Sequence, residues 1–266
     1  AQGFRDIAVA YANGQIGTVK VTSGNAYFTD ISMSNNLGTS INTTQGINNI
    51  TLSNEDCNID FSNKYNIVNI EHWHQTEDMR INADVYLDLA SLKALTNLTR
   101  LILSSTYANG SLSDIANLTN LTTLSLSSTS VTGSLSDIKN LTNLTTLSLN
   151  STYATGNLSD IANLTNLTTL SLNSTSVNGS LSDIANLTNL TTLSLRVTPI
   201  TGVIGSLKNL TKLTTLILDS TSVTGDVTDI IDSLLNLKRL AITSQIKITD
   251  AQKQTLISRG CTIEVY

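Results

Sequence analysis

The chain has little of what usually carries catalysis or charge-driven binding. Its only histidines are His72 and His74, so imidazole-activated chemistry would have to be built at that one spot. No G-x-S-x-G turn, phosphate-binding loop, C-x-x-C or H-E-x-x-H occurs. These absences argue against an enzyme. No apolar run approaches the ~20 residues that a membrane-spanning helix needs. Charge is scarce and uneven: residues 1–94 hold ten acidic and five basic side chains, residues 95–209 four of each, and residues 210–266 six of each. Nothing forms the basic stripe that follows a phosphate backbone, so nucleic acid is not the expected partner. Aromatics are only 4%, with Trp73 the single Trp, and proline occurs once, at Pro199; a core must therefore be built from aliphatic residues.

Those aliphatics are strictly periodic. A 23-residue unit, L-T-N-L-T-T-L-S-L-S-S-T-S-V-T-G-S-L-S-D-I-K-N at 118–140, recurs from Leu95, Leu141, Leu164, Leu187 and Leu210. An imperfect seventh turn follows one residue late, with Leu237, Leu240 and Ile242 in the Leu roles. Leu124-x-Leu126 alternates as a strand does, so Thr123, Ser125 and Ser127 face the opposite way. Val131, Leu135, Ile138 and Leu141 return to the interior at the irregular spacing of a chain turning around a coil. Gly133 permits a backbone that side chains resist. Asp137 reads as an N-cap opening a helical turn. One such unit buries too little apolar surface to offset the entropy of ordering it, so the units must stack.

L-x-x-L-x-L-x-x-T resembles the leucine-rich-repeat signature, with Thr106, Thr129, Thr152, Thr175, Thr198 and Thr221 where the family usually has Asn. The stretch from Asp137 to Leu149 resembles bacterial internalin-like surface repeats. Thr132-Gly133-Ser134-Leu135 is closer to the plant-type repeat, without its proline. The resemblance implies an α/β solenoid: a right-handed superhelix with a parallel sheet on its concave face and short helical or irregular turns on its convex face. It also implies that the Thr hydroxyls bond backbone inside the turn.

The expected organisation is an irregular, β-rich N-terminal cap with degenerate repeats at 1–94, repeats at 95–245, and a helix–strand cap at 246–266. Val19–Val21 and Ile31–Met33 read as short strands, and Ile47-x-x-Ile50-x-Leu52 and Ile67-x-x-Ile70 as degenerate strand signatures. Thr249–Gln252 fits a capping box for a helix that Gly260 closes, and Thr262–Val265 alternates as a last strand. Cys57 and Cys261 fall near opposite ends of the array, too far apart for a disulfide, and read as free thiols.

The concave strand face is the surface the family binds with. Its outward columns are Arg100, Thr123, Thr146, Thr169, Thr192, Thr215; then Ile102, Ser125, Ser148, Ser171, Ser194, Ile217; then Ser104, Ser127, Asn150, Asn173, Arg196, Asp219. Solvated filler left by duplication is the plainer reading of the uncharged middle. If Ile70 aligns with Leu124, Glu71 and Trp73 join this face, and a lone exposed Trp suits a binding anchor; covering the N-terminal core is the alternative. His72 and His74, near Glu77 and Asp78, lack a third ligand at recognisable spacing, so no metal is expected. Asp114, Asp137, Asp160, Asp183 and Asp229 give one carboxylate per coil, far short of the 6–8 oxygens calcium takes. Tyr107 and Tyr153 are expected to fill space beside Ala108 and Ala154.

The expectation is a non-enzymatic binding or adhesion module, monomeric and without cofactor, recognising a protein or carbohydrate through the concave face. A structural spacer or stalk of a surface or phage fibre is the alternative. Ice binding is a lesser one, since a concave array fits a flat lattice poorly. Ten Asn-Leu-Thr sequons from Asn97 to Asn209 would risk dense glycosylation in a eukaryotic secretory pathway, which argues for bacterial or phage origin. The opening Ala1-Gln2, without Met, suggests a processed or trimmed start and an extracellular or cell-surface location.

Overall fold

The computed structural model describes residues 18–21, 31–34, 39–43, 50–53, 57–66 and 78–266. They belong to two compact units, one ending at Val131 and one beginning at Thr132. Each is a leucine-rich-repeat solenoid in which parallel strands line one side and short turns the other.

The first unit contains β1 (Thr18–Val21), β2 (Ile31–Ser34), β3 (Thr39–Thr43), β4 (Ile50–Ser53), β5 (Cys57–Asn66), β6 (Asp78–Tyr86), β7 (Arg100–Ile102) and β8 (Thr123–Ser125). β1, β3, β5, β6, β7 and β8 lie side by side in that order, all parallel, while β2 pairs with β4. The expected strands at 19–21 and 31–33 are present as β1 and β2. The coil length varies before the repeats begin: Thr18 meets Ser40, Thr39 meets Cys57, Cys57 meets Met79 and Asp78 meets Arg100, whereas Arg100 meets Thr123 at the full repeat. Met79 stands beside Leu101 in this ladder and is fully buried. It bridges the long sequence gap before Leu101; Ile67 and Ile70 lie outside the described residues.

The second unit contains β9 (Thr146–Ser148), β10 (Thr169–Ser171), β11 (Gly179–Ser180), β12 (Thr192–Ser194), β13 (Ile200–Thr201), β14 (Thr215–Ile217), β15 (Gly225–Asp226), helix α1 (Thr228–Ile231), β16 (Arg239–Ile242), β17 (Ile246–Lys247), helix α2 (Asp250–Ser258) and β18 (Thr262–Val265). Thr146, Thr169, Thr192 and Thr215 are successive partners, followed by Arg239 and Thr262. The step from Thr215 to Arg239 is the one-residue delay seen in the sequence. Within one coil, Leu141, Leu144, Leu147, Leu149, Ala154, Leu158 and Ile161 are all fully buried. Short lateral pairs, β11 with β13 and β15 with β17, stitch the coils beyond the main strands.

Polar residues set the turns. Thr152 Oγ1 donates to the Leu149 carbonyl at 2.7 Å, and Thr106, Thr129, Thr175, Thr198 and Thr221 do the same in their coils. The Thr that replaces the family's Asn therefore still satisfies backbone inside the turn. The residue before each such Thr has left-handed backbone, with φ 54° at Ser151 and at Ser174. The 3-10 turns at Leu135–Ile138, Leu158–Ile161 and Leu181–Ile184 open with Ser134, Asn157 and Ser180, not with aspartate. Asp137, Asp160 and Asp183 sit three residues later and accept from the backbone N–H of those caps at 2.8–2.9 Å. The expected Asp137 N-cap is thus the second half of a capping box. At the C-terminus, Thr249 and Gln252 form the expected box ahead of α2, and Gly260 ends it at φ 77°. Cys261 is a buried free thiol whose pKa burial pushes up.

Gly179 shows how tightly the coils are apposed. Its φ is 115°, and a Cβ there would lie 2.6 Å from Asn157 Oδ1 and 2.9 Å from the Leu158 backbone nitrogen. Gly179→Ala should destabilise the protein by about 1–3 kcal/mol in chemical denaturation, combining left-handed strain with overlap. The exposed Ser176→Ala should stay within about 0.5 kcal/mol. Equal effects would mean that the coils do not approach so closely.

Candidate binding face

Strand pleating turns every second side chain outward, and strict register turns those side chains into columns. In the second unit the first column is Thr146, Thr169, Thr192 and Thr215, continued by Arg239 and Thr262. The second is Ser148, Ser171, Ser194, Ile217, Ala241 and Glu264. In the first unit Arg100 and Ile102 align with Thr123 and Ser125. Glu71 and Trp73, the expected aromatic anchor, lie outside the described residues, as do His72, His74 and Glu77.

Much of the polar face is already engaged. Asn150 Oδ1 accepts from the Ser171 hydroxyl and the Asn173 backbone N–H, both at 2.8 Å. One coil on, Asn173 Oδ1 accepts from the Ser194 hydroxyl at 2.7 Å and the Arg196 N–H at 2.8 Å. Ser104 and Ser125 share a hydroxyl–hydroxyl bond at 2.8 Å. Of each paired Thr-Thr, the first is structural: Thr168 and Thr191 donate to the carbonyls of Thr145 and Thr168. Thr169 and Thr192 are the half-exposed members that face outward. Asp114 in the first unit, and Asp137, Asp160 and Asp183 in the second, each use one carboxylate oxygen to accept the backbone N–H of their own cap. Among the described residues, no group of three His, Cys, Asp or Glu is placed to hold a metal. Tyr153 does not fill space beside Ala154; it is 68% exposed, and the buried Ala154 needs no such cover.

At its C-terminal side the face changes character. Arg196 Nε lies 2.9 Å from Asp219 Oδ2, whose side chain is only 2% exposed against 54% for the arginine. That oxygen has no well-directed hydrogen bond, so the guanidinium is the charge that compensates a buried carboxylate. The Tyr266 ring stands 5.9 Å from Arg196 Cζ, within cation–π range. Arg239 binds Glu264 through Nε at 3.1 Å, and the Tyr266 hydroxyl donates to the same carboxylate. Two cations, two anions and an aromatic ring thus form a nearly neutral cluster beside uncharged Thr columns. Glu264 and Tyr266 belong to this cluster although the sequence reading left them out. Continuing the strand register through the cap places them in the second and third columns.

The Tyr266 hydrogen bond, ahead of the Arg239 charge, holds the Glu264 carboxyl below its ordinary 4.5. The same bond pushes the Tyr266 phenol above 10.0. A lowered acid contributes stability above its unfolded pKa and loses it as pH falls through the folded value; a raised phenol contributes below its unfolded pKa and loses it as pH rises through the folded value. The melting difference between wild type and Tyr266→Phe should therefore be largest between roughly pH 5 and 9 and close at both extremes. A difference independent of pH would separate Tyr266 from Glu264.

No protein-family model and no curated protein sequence matches the chain. Solved structures do. Internalin C2 from Listeria monocytogenes is 28% identical with a TM-score of 0.55, over 68% of this chain and 76% of that one. A TDR receptor superposes with a TM-score of 0.65 at 21% identity over 86% of this chain, which spans only 50% of the receptor. The Arabidopsis receptor kinase HAESA, solved with the peptide hormone IDA, gives 0.60 at 17% identity over 81% of this chain and 41% of its own. The two receptor likenesses show a shared fold.

Proposed function

Taking as premise that the chain is a leucine-rich-repeat protein similar to bacterial internalins, we propose that it is a non-enzymatic recognition module whose strand face binds a protein or glycan. The observation that carries this reading is the in-register outward column Thr146–Thr169–Thr192–Thr215, which continues into Arg239 and lies beside the Arg196–Asp219–Tyr266 cluster. A repeated, half-exposed surface that ends in an aromatic and a pinned guanidinium resembles a binding anchor with a complementary surround. Asn150, Asn173 and Ser171 serve it as a rigid frame, because their polar atoms are tied to neighbouring coils. Ser148, Ile217 and, in the first unit, Arg100, Ile102, Thr123 and Ser125 are the remaining contact candidates, with Glu71 and Trp73 from the N-terminal third.

The cluster's near-neutrality favours a partner that is not strongly charged. No helix among the described residues is long and apolar enough to cross a membrane. We place the module outside the cell or at its surface, as a monomer without cofactor. A bacterial origin is supported by the sequon nitrogens. Asn120, Asn163, Asn166 and Asn189 use the amide that a glycan would occupy to bond carbonyls of the preceding coil at 2.9–3.0 Å.

Thr169→Arg with Thr192→Arg places bulk and charge on the outward column without touching the core. In a combined glycan-array and surface-protein screen, this variant should lose at least ten-fold in affinity for whatever the wild type captures, at an unchanged melting temperature. The second reading is a spacer, which the uniformity of the repeats favours; unaltered capture by the double-arginine variant would support it against recognition through this face.

A further inference from the structure

One coil departs from the rules that the coils before it keep, and its departures fall together on residues 197–208. At the left-handed position before the buried Thr, the two preceding coils have Ser151 and Ser174; here Val197 takes the same φ of 54°. A β-branched side chain at positive φ is a strained exception. The backbone N–H groups of Ser151 and Ser174 donate to the next coil at 2.8 Å, to Asn173 and Arg196, whereas that of Val197 reaches Asp219 at 3.1 Å. Two positions on, Ser176 donates its N–H to Ala154 and Ser222 to Ile200. Pro199 has no N–H to donate.

The 3-10 turn that follows is also less well fastened. In the two preceding coils Asn157 and Ser180 cap the turn, and Asp160 and Asp183 close the capping boxes. The turn Ile204–Leu207 opens instead on Val203, which offers no side-chain cap, and Ser206 stands in the place of the aspartate. Loss of such a cap weakens a turn. The inner side of the coil is intact: Leu193, Leu195, Thr198, Ile200, Ile204 and Leu207 are all buried. One contact opposes the weakness. Arg196 precedes Val197, and Asp219 is the residue whose carbonyl takes the long Val197 rung; their side chains form the 2.9 Å ion pair. Rung and ion pair therefore tie the same two coils at the same point.

We infer that residues 197–208 are a built-in opening segment of the array, latched at its start by the Arg196–Asp219 pair. Strain, a missing rung and a missing cap lower the stability of this stretch alone, so it lifts while the strand and the leucine column stay in register. The latch is firm because the Asp219 side chain is only 2% exposed, and parting the pair strands a buried carboxylate. It also belongs to the strand-face cluster, so face and turn share one ion pair. A group that draws the guanidinium off Asp219 releases the turn. The inference goes beyond the strand-face reading and holds whether or not a partner binds there.

Hydrogen–deuterium exchange of the full chain, read by mass spectrometry, tests this without any ligand. Protection factors over 197–208 should be at least five-fold lower than over the register equivalents 151–162 and 174–185. Val197→Ser, Pro199→Ser, Val203→Ser and Ser206→Asp together restore the preceding coil's residue types and should remove most of that difference. Arg196→Gln alone strands the buried carboxylate and risks unfolding the chain. The latch is therefore removed as Arg196→Gln with Asp219→Asn, which leaves no charge unpaired. This double variant should lower protection over 197–208 at least three-fold further and leave 151–162 unchanged. A smaller difference in wild type, or one that survives the four restoring substitutions, would overturn the opening segment. A double variant that protects 197–208 as well as wild type does, or that loosens every coil equally, would overturn the latch.

Discussion

A parallel ladder that joins each residue to the one 23 places later is the constraint on which the rest of this molecule depends. Across β9, β10, β12 and β14 it never slips, and it stacks Leu147, Leu170, Leu193 and Leu216 directly on one another, all fully buried. No coil has a core of its own; each supplies one layer of a shared one. Because the register is strict, every choice made at one position is multiplied into a column. Leucine columns become core, Thr columns become a flank of the strand face, and Gly columns become the close approach between coils.

The same multiplication limits what the repeats can recognise. The Ser–Asn–Thr repertoire is largely consumed in holding coils together, through Asn150 and Asn173 on the strand side and the sequon asparagines elsewhere. What distinguishes one part of the surface from another is where repetition fails. The failures concentrate in and after the coil that begins at Leu187. There a guanidinium covers a buried carboxylate, the Tyr266 ring stands within cation–π range of it, and apolar side chains displace polar ones along the edge. The uniform coils repeat one set of buried contacts, and the surface departs from that repetition where the side chains change.

The repeats were legible because their period is fixed and their apolar positions are nearly invariant, so strand, turn and cap could be counted off from any one unit. Even the Arg196–Asp219 pair shows in the sequence as a spacing of 23 within one column. The N-terminal third was harder because its ladder steps change from coil to coil, and because Met79 holds a position that the eye assigns to leucine. Asp137 was misplaced because an N-cap and the far half of a capping box differ only in where the turn begins. Tyr153 was misjudged because a larger side chain beside a smaller one suggests packing, whereas consecutive positions on an extended segment point in opposite directions. Which hydroxyls were free could not be read at all, since their partners lie on the next coil.

The most direct test of the shared-core account is to delete one whole unit, residues 164–186, and compare urea unfolding with that of the full chain. Stacking in strict register predicts a folded protein with an unchanged circular-dichroism band shape and a smaller m-value, reduced in proportion to the surface one coil buries. A deletion product that fails to fold, or that keeps the full m-value, would contradict it.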